Sequence, residues 1–140
     1  MKRSATAVWK GGLKDGKGTV STESGVLSSV PYNFRMRFES EKGTNPEELI
    51  AAAHAACFSM ALSMILGDAG MKADSIDTKA TVTLEQAGGG FSVTSSALET
   101  TVKIPNADRA AFAKAAEAAK SGCPISKLLN ATITLDAKLA

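Results

Sequence analysis

The stretch Thr44–Leu66 constrains the fold of this chain more than any other, because it carries no charged residue after Glu48 and is almost wholly apolar. Asn45 can cap a helix there, and Pro46 suits the first helical position. Glu48 follows the cap by three residues and completes a capping-box pattern, with acid at the positive end of the helix dipole. Two glycines, the first of them Gly67, follow the run and can end a helix. The pattern predicts one long helix.

A helix with no charge over 18 residues has no face suited to water. It must be buried on all sides, yet a domain of this size can hardly surround a central helix alone. The many alanines give a surface that packs closely, so we expect a second copy of the chain to cover part of it. The run reaches only the lower limit of length for a membrane span, and His54, Ser59 and Ser63 make it a poor one. We therefore predict an obligate homodimer and no membrane association.

The length of the chain fits a single domain over residues 1–140, and 44% hydrophobic residues are ample for its core. The net charge of +2 comes from scattered Lys and Arg, and only 5% of the residues are aromatic, so a nucleic-acid partner is not indicated. Two basic residues near the N-terminus are not followed by an apolar stretch of signal-peptide length. We expect a cytoplasmic protein, in which two cysteines are more often catalytic, regulatory or simply buried than permanently bridged.

The remaining elements alternate between strands and helices, and the order predicts an α+β fold with a largely antiparallel sheet around the buried central helix. Residues 75–85 and 91–104 alternate in polarity and form a long hairpin across a glycine-rich turn. The other predicted elements are strands at 4–9, 19–28 and 32–39, a helix at 107–120 opened by Asn106 or Asp108, a helical turn from Pro124, and a closing strand at 132–139.

Residues 32–39 place aromatic and methionine side chains on one strand face and Arg35 and Arg37 on the other. Two guanidinium groups on one face have two interpretations. They are either the solvated outer surface of a strand, or they include an arginine that stabilises an anion in a site.

The two cysteines have different sequence environments. Cys57 lies inside the apolar run and alone would be interpreted as a small buried hydrophobic residue. Cys123 directly precedes Pro124 after a helix stop, where the free amides of a new turn favour a thiolate. His54 stands three residues before Cys57, on nearly the same helical face, which raises a Cys-His dyad. A metal site built from His54 and the two thiols would have three ligands at best and none of the paired spacing of zinc motifs.

Four motifs in order resemble the OsmC branch of the OsmC/Ohr family, and the resemblance extends from near Trp9 to the end of the chain. Each motif is weak alone, but the four together at these separations are highly specific. They are the segments 18–27 (GTVSTESGVL), 41–50 (EKGTNPEELI), 53–62 (AHAACFSMAL) and 122–126 (GCPIS).

This resemblance implies an intertwined OsmC-like homodimer and a thiol peroxidase that reduces organic hydroperoxides, and hydrogen peroxide more slowly, without metal, flavin or haem. By position, Cys57 corresponds to the peroxidatic thiol and Cys123 to the resolving thiol, with a redox-active disulfide between them. Arg37 and Glu47 correspond to the pair that activates and shields the site, with Arg35 as the competitor for the arginine. Family members suggest a dihydrolipoyl protein as the thiol reductant.

Helix geometry adds a constraint on this site. Ten residues part Glu47 from Cys57, so on one straight helix they lie about 15 Å apart along the axis and about 80° apart around it. They cannot serve one site in cis. If both act on the same peroxide, Glu47 and Arg37 must come from the other subunit.

Two other functions remain open from the residues themselves. One is a transferase or hydrolase that uses Cys57 as nucleophile with His54 as base. The other is a non-catalytic stress protein or small-molecule binding protein.

Overall fold

A computed structural model of the chain describes residues 1–140 as an α+β fold with two three-stranded sheets and four helices, which confirms the predicted fold class. The chain divides into two compact units, residues 1–49 and residues 50–140. In chain order the elements are β1 (Ala5–Lys10), β2 (Lys17–Thr22), β3 (Val30–Tyr32), α1 (Phe34–Phe38), α2 (Pro46–Asp68), β4 (Ser75–Ala87), β5 (Gly90–Lys103), α3 (Arg109–Gly122), α4 (Pro124–Leu128) and β6 (Thr132–Leu139).

The first unit contains a wholly antiparallel sheet in the order β1-β2-β3. Gly18 in β2 pairs with Trp9 on one side and with Tyr32 on the other. The two rings lie 5.4 Å apart between centroids, and a Cβ at residue 18 would collide with both. The glycine therefore allows the two aromatic rings to meet across the middle strand.

The prediction of a strand at residues 32–39 is wrong beyond Tyr32, because helix α1 occupies Phe34–Phe38. Asn33 caps the helix, since its side-chain oxygen accepts a 2.9 Å hydrogen bond from the Met36 N–H. The rings of Phe34 and Phe38 pack 4.8 Å apart on one face. Residues four apart share a face in a strand and in a helix alike, so a five-residue element cannot be assigned from this pattern.

Helix α2 has the predicted ends within two residues. The Glu48 N–H donates a 2.9 Å hydrogen bond to the Asn45 side chain, which confirms the cap. At the other end Gly70 adopts a positive φ of 73°, and the Met71 N–H donates a 2.8 Å hydrogen bond to the Leu66 carbonyl. This is the six-to-one bond of a Schellman stop, and it ends the helix where the apolar run ends.

The second unit contains a mixed sheet in the order β4-β5-β6. Strands β4 and β5 form the predicted hairpin, closed by Gly88 and Gly89, both with positive φ. Strand β6 runs parallel to β5, because α3 and α4 carry the chain back to the starting end of the sheet. The predicted single, largely antiparallel sheet is therefore two sheets, of which only the first is antiparallel throughout.

The core of the second unit lies between α2, α3 and the mixed sheet. Burying each of its large apolar side chains contributes on the order of 1.5–3 kcal/mol relative to exposure. One thiol, that of Cys123, is part of this core. The fully or almost fully buried members are Phe58, Leu62, Leu66, Leu98, Val102, Phe112, Ala115, Ala116, Ala119 and Cys123.

Helix α2 is buried on one side only within the single chain, in contrast to the expectation of burial all round. The buried side is one i, i+4 row that starts at His54 and ends at Leu66. Met60 and Met64 remain 76% and 64% exposed. This helix of 23 residues contains an 18-residue stretch with a mean hydropathy of 2.0, which meets the length and composition of a membrane span, a test that core helices pass as well.

Candidate active site

The two cysteine sulfurs meet although 66 residues separate them in the chain. Cys57 projects from the middle of α2, and its Sγ lies 2.8 Å from the Sγ of Cys123. Both thiols are free, and Cys123 is fully buried. Cys123 ends α3 through a 2.9 Å hydrogen bond from its N–H to the Ala119 carbonyl, and Pro124 then begins α4. The backbone of Cys123, with φ of -55° and ψ of 128°, leaves the helical conformation between the two helices, and its thiol contacts α2 from there.

The surroundings of the two thiols shift their pKa values in opposite directions. Burial raises the pKa of Cys57, and the hydrogen bond with Cys123 raises it further. Burial alone would raise the pKa of Cys123 as well. The hydrogen bond that it shares with the Cys57 thiol and hydrogen bonds from the main-chain N–H groups of Ser126 and Ile125 and from the Ser126 hydroxyl outweigh that effect, so the pKa of Cys123 lies below its ordinary value. No cationic side chain contributes to the pKa of either thiol in the single chain.

His54 is fully buried one helical turn before Cys57. Its Nδ1 lies 2.7 Å from the Ser96 hydroxyl and its Nε2 lies 2.8 Å from the Ser126 hydroxyl. Burial lowers the pKa of the imidazole. Both ring nitrogens thus have partners other than Cys57, and the Cys-His dyad is not formed. The structure contains no group of three or more His, Cys, Asp or Glu side chains arranged to hold a metal ion.

Arg37 and Glu47 form a bidentate pair within the first unit. Arg37 Nε donates to Glu47 Oε2 at 3.2 Å, and Nη2 donates to Oε1 at 2.7 Å. The guanidinium also lies 5.2 Å from the centre of the Phe38 ring. Arg35 pairs instead with Glu41 at 2.7 Å, and its side chain is 65% exposed. Helix α1 therefore directs the two arginines to different carboxylates.

A cavity of about 270 Å³ lies against the guanidinium of Arg37 in the first unit. Its walls are mainly aromatic and aliphatic, and besides Arg37 the side chains of Asn33, Tyr32 and Trp9 carry polar atoms. A concave apolar wall with one charged donor is the usual form of a small-molecule site. The lining residues are Trp9, Leu13, Tyr32, Asn33, Phe34, Arg37, Phe38 and Pro46.

The four site residues expected from the sequence thus fall into two pairs. Cys57 and Cys123 are in contact within residues 50–140, and Arg37 and Glu47 are in contact within residues 1–49. Sequence reasoning missed Ser96 and Ser126. The one available signal was that Ser126 stands three residues after Cys123, as His54 stands three before Cys57.

Comparison with known proteins gives the same family that the motifs indicate. The sequence model of the family described as OsmC-like protein matches residues 39–138, which include Glu47, Cys57 and Cys123, while Arg37 lies just before them. Peroxiredoxin OsmC of Escherichia coli (strain K12) is 56% identical over 139 residues, covering 99% of this chain and 97% of that protein.

Solved structures agree with that match. The organic hydroperoxide resistance protein OhrB of Bacillus subtilis superposes with a TM-score of 0.71 at 28% identity, covering 96% of this chain and 98% of that one. An OsmC-like protein of Vibrio cholerae has a TM-score of 0.76 at 18% identity over 98% of this chain and 99% of the other, which shows the shared fold. The chain therefore belongs to the OsmC-like protein family.

Proposed function

We propose that this chain is a thiol-dependent peroxidase that reduces organic hydroperoxides to alcohols, and hydrogen peroxide more slowly. The observation that carries the proposal is the 2.8 Å contact between the sulfurs of Cys57 and Cys123. The relative in Escherichia coli is named a peroxiredoxin, and the relative in Bacillus subtilis an organic hydroperoxide resistance protein. Cys57 acts as the peroxidatic thiol and Cys123 as the resolving thiol, within one domain.

The oxidative half of the reaction exchanges atoms and electrons only between the two thiols and the hydroperoxide. The Cys57 thiolate attacks the distal peroxide oxygen, the O–O bond breaks, and the alkoxide takes a proton and leaves as the alcohol. The sulfur, oxidised by two electrons, is now a sulfenic acid. The Cys123 sulfur attacks it, a disulfide forms, and the hydroxyl leaves as water. An external dithiol then returns both cysteines to the thiol state.

Activation of Cys57 requires a cation that its own unit does not provide, because burial keeps its pKa high and no cationic side chain offsets this. Arg37 of the partner subunit fills this role in the proposal. A guanidinium favours the thiolate and donates hydrogen bonds to the departing oxygen, where negative charge develops. Glu47 holds the guanidinium in one orientation through the bidentate pair. The separation of ten positions along the helix between Glu47 and Cys57, about 15 Å, is the reason for proposing that this pair comes from the partner subunit.

The cavity beside Arg37 supports an organic substrate. Contact between its aromatic and aliphatic walls and an alkyl or aryl group removes apolar surface from water and strengthens binding. Hydrogen peroxide has no such group. The peroxide end of the substrate would lie at the guanidinium, where the charge of the reaction develops.

The uncovered side of α2 supports a homodimer. Met60 and Met64 stand exposed on a helix that has no charged residue between Glu48 and Asp68. A second copy that covers this side would bury the apolar surface, and the same association would place Arg37 of the partner subunit beside Cys57. The proposal is therefore a dimer with shared sites. To it we add the location and the reductant expected from the sequence, the cytoplasm and a dithiol protein of the dihydrolipoyl type.

Thiol titration tests the function directly. The reduced chain is mixed with one equivalent of cumene hydroperoxide, and free thiols are counted with a colorimetric reagent under denaturing conditions. We expect both thiols to be lost and to return with dihydrolipoamide. The Cys123→Ser variant should lose its single thiol to a sulfenic acid and stop cycling with the dithiol. Retention of both thiols in the wild-type chain would exclude the peroxidase and favour a binding protein.

A further inference from the structure

The buried imidazole of His54 has no role in the reaction described above, yet it is completely enclosed and completely hydrogen-bonded. Its two partners come from different elements, Ser96 from β5 and Ser126 from α4. A neutral imidazole has one donor and one acceptor nitrogen, and each serine hydroxyl can serve as either partner. The ring is therefore a fixed connector between three elements, with every polar atom satisfied.

The connection to Ser126 runs beside the sulfur contact. His54 and Cys57 are three residues apart on α2. Cys123 and Ser126 are three residues apart at the start of α4, and residues at this spacing lie on one helix face. The two helices are thus joined twice, by the 2.8 Å contact of the sulfurs and by the 2.8 Å bond from His54 to Ser126. His54 and Cys57 on α2 thus each contact one residue at the start of α4, Ser126 and Cys123 respectively.

We propose that His54 is a positioning residue for the resolving thiol, because its bond to Ser126 holds α4 where the Cys123 sulfur can reach Cys57. The inference rests on the proposed peroxidase function. Once Cys57 becomes a sulfenic acid the direct contact between the thiols is replaced by a new oxygen atom. The second link then keeps the two sulfurs close.

This position decides between two fates of the sulfenic acid. In one, the Cys123 sulfur attacks, a disulfide forms and water leaves. In the other, the sulfenate of Cys57 attacks a second hydroperoxide, the O–O bond breaks, an alcohol leaves and the sulfur is oxidised by two more electrons to the sulfinic acid. The first step is intramolecular, so its rate depends on how often Cys123 is in place. Loosening α4 should favour the second product.

The experiment measures the ratio of sulfinic acid to disulfide by mass spectrometry after the reduced chain meets excess cumene hydroperoxide. Two variants break the link on opposite sides, Ser126→Ala and His54→Asn, whose amide is too short to reach Ser126. His54→Gln restores it, since its amide nitrogen occupies the place of Nε2. Ser59→Ala is the matched control, because Ser59 joins α2 to Thr78 of β4 by a 2.9 Å bond and makes none to α4.

Loss of one buried hydrogen bond should raise the sulfinic-to-disulfide ratio about tenfold in Ser126→Ala and His54→Asn, while His54→Gln and Ser59→Ala stay within about twofold of wild type. An unchanged ratio in Ser126→Ala would overturn the proposal, as would an equal rise in Ser59→Ala. If the His54 variants do not fold, Ser96→Ala against Ser59→Ala decides, because Ser96 fixes the same imidazole whereas the Ser126 hydroxyl also hydrogen-bonds Cys123 directly. A raised ratio in Ser96→Ala supports the proposal, and an unchanged ratio overturns it. A wild-type chain that gives neither product contradicts the peroxidase function instead.

Discussion

Arg37 and Glu47 present their charges to each other through two parallel hydrogen bonds of 3.2 and 2.7 Å, and only 12% of the Glu47 side chain is exposed. A short helix that begins at the Asn33 cap sets the arginine, and the first turn of α2 sets the carboxylate. A guanidinium fixed in this way needs no reorganisation when it meets a developing negative charge.

Replacing Arg37 by Ala should lower the rate of thiol oxidation by cumene hydroperoxide roughly 10²- to 10³-fold, because the developing charge loses its donor. Stopped-flow measurement of the rate checks the first effect, and the ultraviolet thiolate absorbance of the same variant in a Cys123→Ser background, where Cys57 is the sole thiol, checks the second. The matched control is Arg35→Ala, which removes an exposed arginine whose pair with Glu41 lies at the surface and should change the rate less than about threefold. Equal and near-wild-type rates in both variants would remove guanidinium activation from the mechanism.

Mixing two inactive chains should restore activity if the site is shared. A Cys57→Ser chain retains Arg37 and Glu47, and a Glu47→Ala chain retains both thiols. Random exchange after partial denaturation should return about a quarter of wild-type activity, since half of the dimers are mixed and each has one complete site. The measurement is turnover of cumene hydroperoxide with dihydrolipoamide, with each variant exchanged against itself as the control. No gain in the mixture would place the whole site within one chain.

A charge on the uncovered side of α2 should separate the subunits. Met64→Lys places an ammonium group where the proposed second copy packs, and an unpaired buried charge costs several kcal/mol. Analytical ultracentrifugation should show a monomer, and turnover should fall with the dimer fraction. Val26→Lys is the control, because Val26 is 83% exposed and lies outside α2. A Met64→Lys chain that sediments as a dimer would show that the subunits meet through another surface.

Stability should depend on pH through His54. Burial lowers the pKa of the folded imidazole from its ordinary value of 6.5, and its hydrogen-bond partners are uncharged hydroxyls. Between the folded pKa and pH 6.5, His54 is therefore mostly protonated in the unfolded chain and mostly neutral in the folded chain. The free energy of unfolding should fall as the pH drops from that value to the folded pKa, by up to about 1.4 kcal/mol per pH unit.

Urea titrations between about pH 5 and pH 8 measure this dependence. His54 is the sole histidine in the chain, so the difference between wild type and His54→Gln isolates its contribution. Plotted against pH, the free energies of unfolding of the two chains should run parallel above pH 6.5, and that of the wild type should fall more steeply below it. If the two free-energy curves run parallel over the whole pH range, the imidazole accepts a proton as readily in the folded chain as in the unfolded one.

Local sequence signals predicted the long elements well, because caps and turns are contacts between near neighbours. Asp108 begins α3 by accepting a 3.0 Å hydrogen bond from the Ala111 N–H, as the sequence allowed. The short helix α1 was mistaken for a strand, since its aromatic pair suits both periods. The parallel pairing of β6 with β5 depends on where α3 and α4 lead the chain, which no local pattern contains.

Candidate site residues could be predicted only where they lie in sequence motifs. The resemblance gave Cys57 and Cys123 as candidates, but their contact depends on how the chain turns between α3 and α4. The bonds from His54 to Ser96 and Ser126 span 42 and 72 residues, and nothing in a single sequence marks such pairs. Buried polar partners of this kind are determined by packing, after the elements have formed.

Both sulfurs belong to the same compact unit of one polypeptide. Under the proposed mechanism each polypeptide therefore forms its own disulfide. If the proposed dimers exchange subunits, the oxidised state stays with the chain that first reacted with the peroxide.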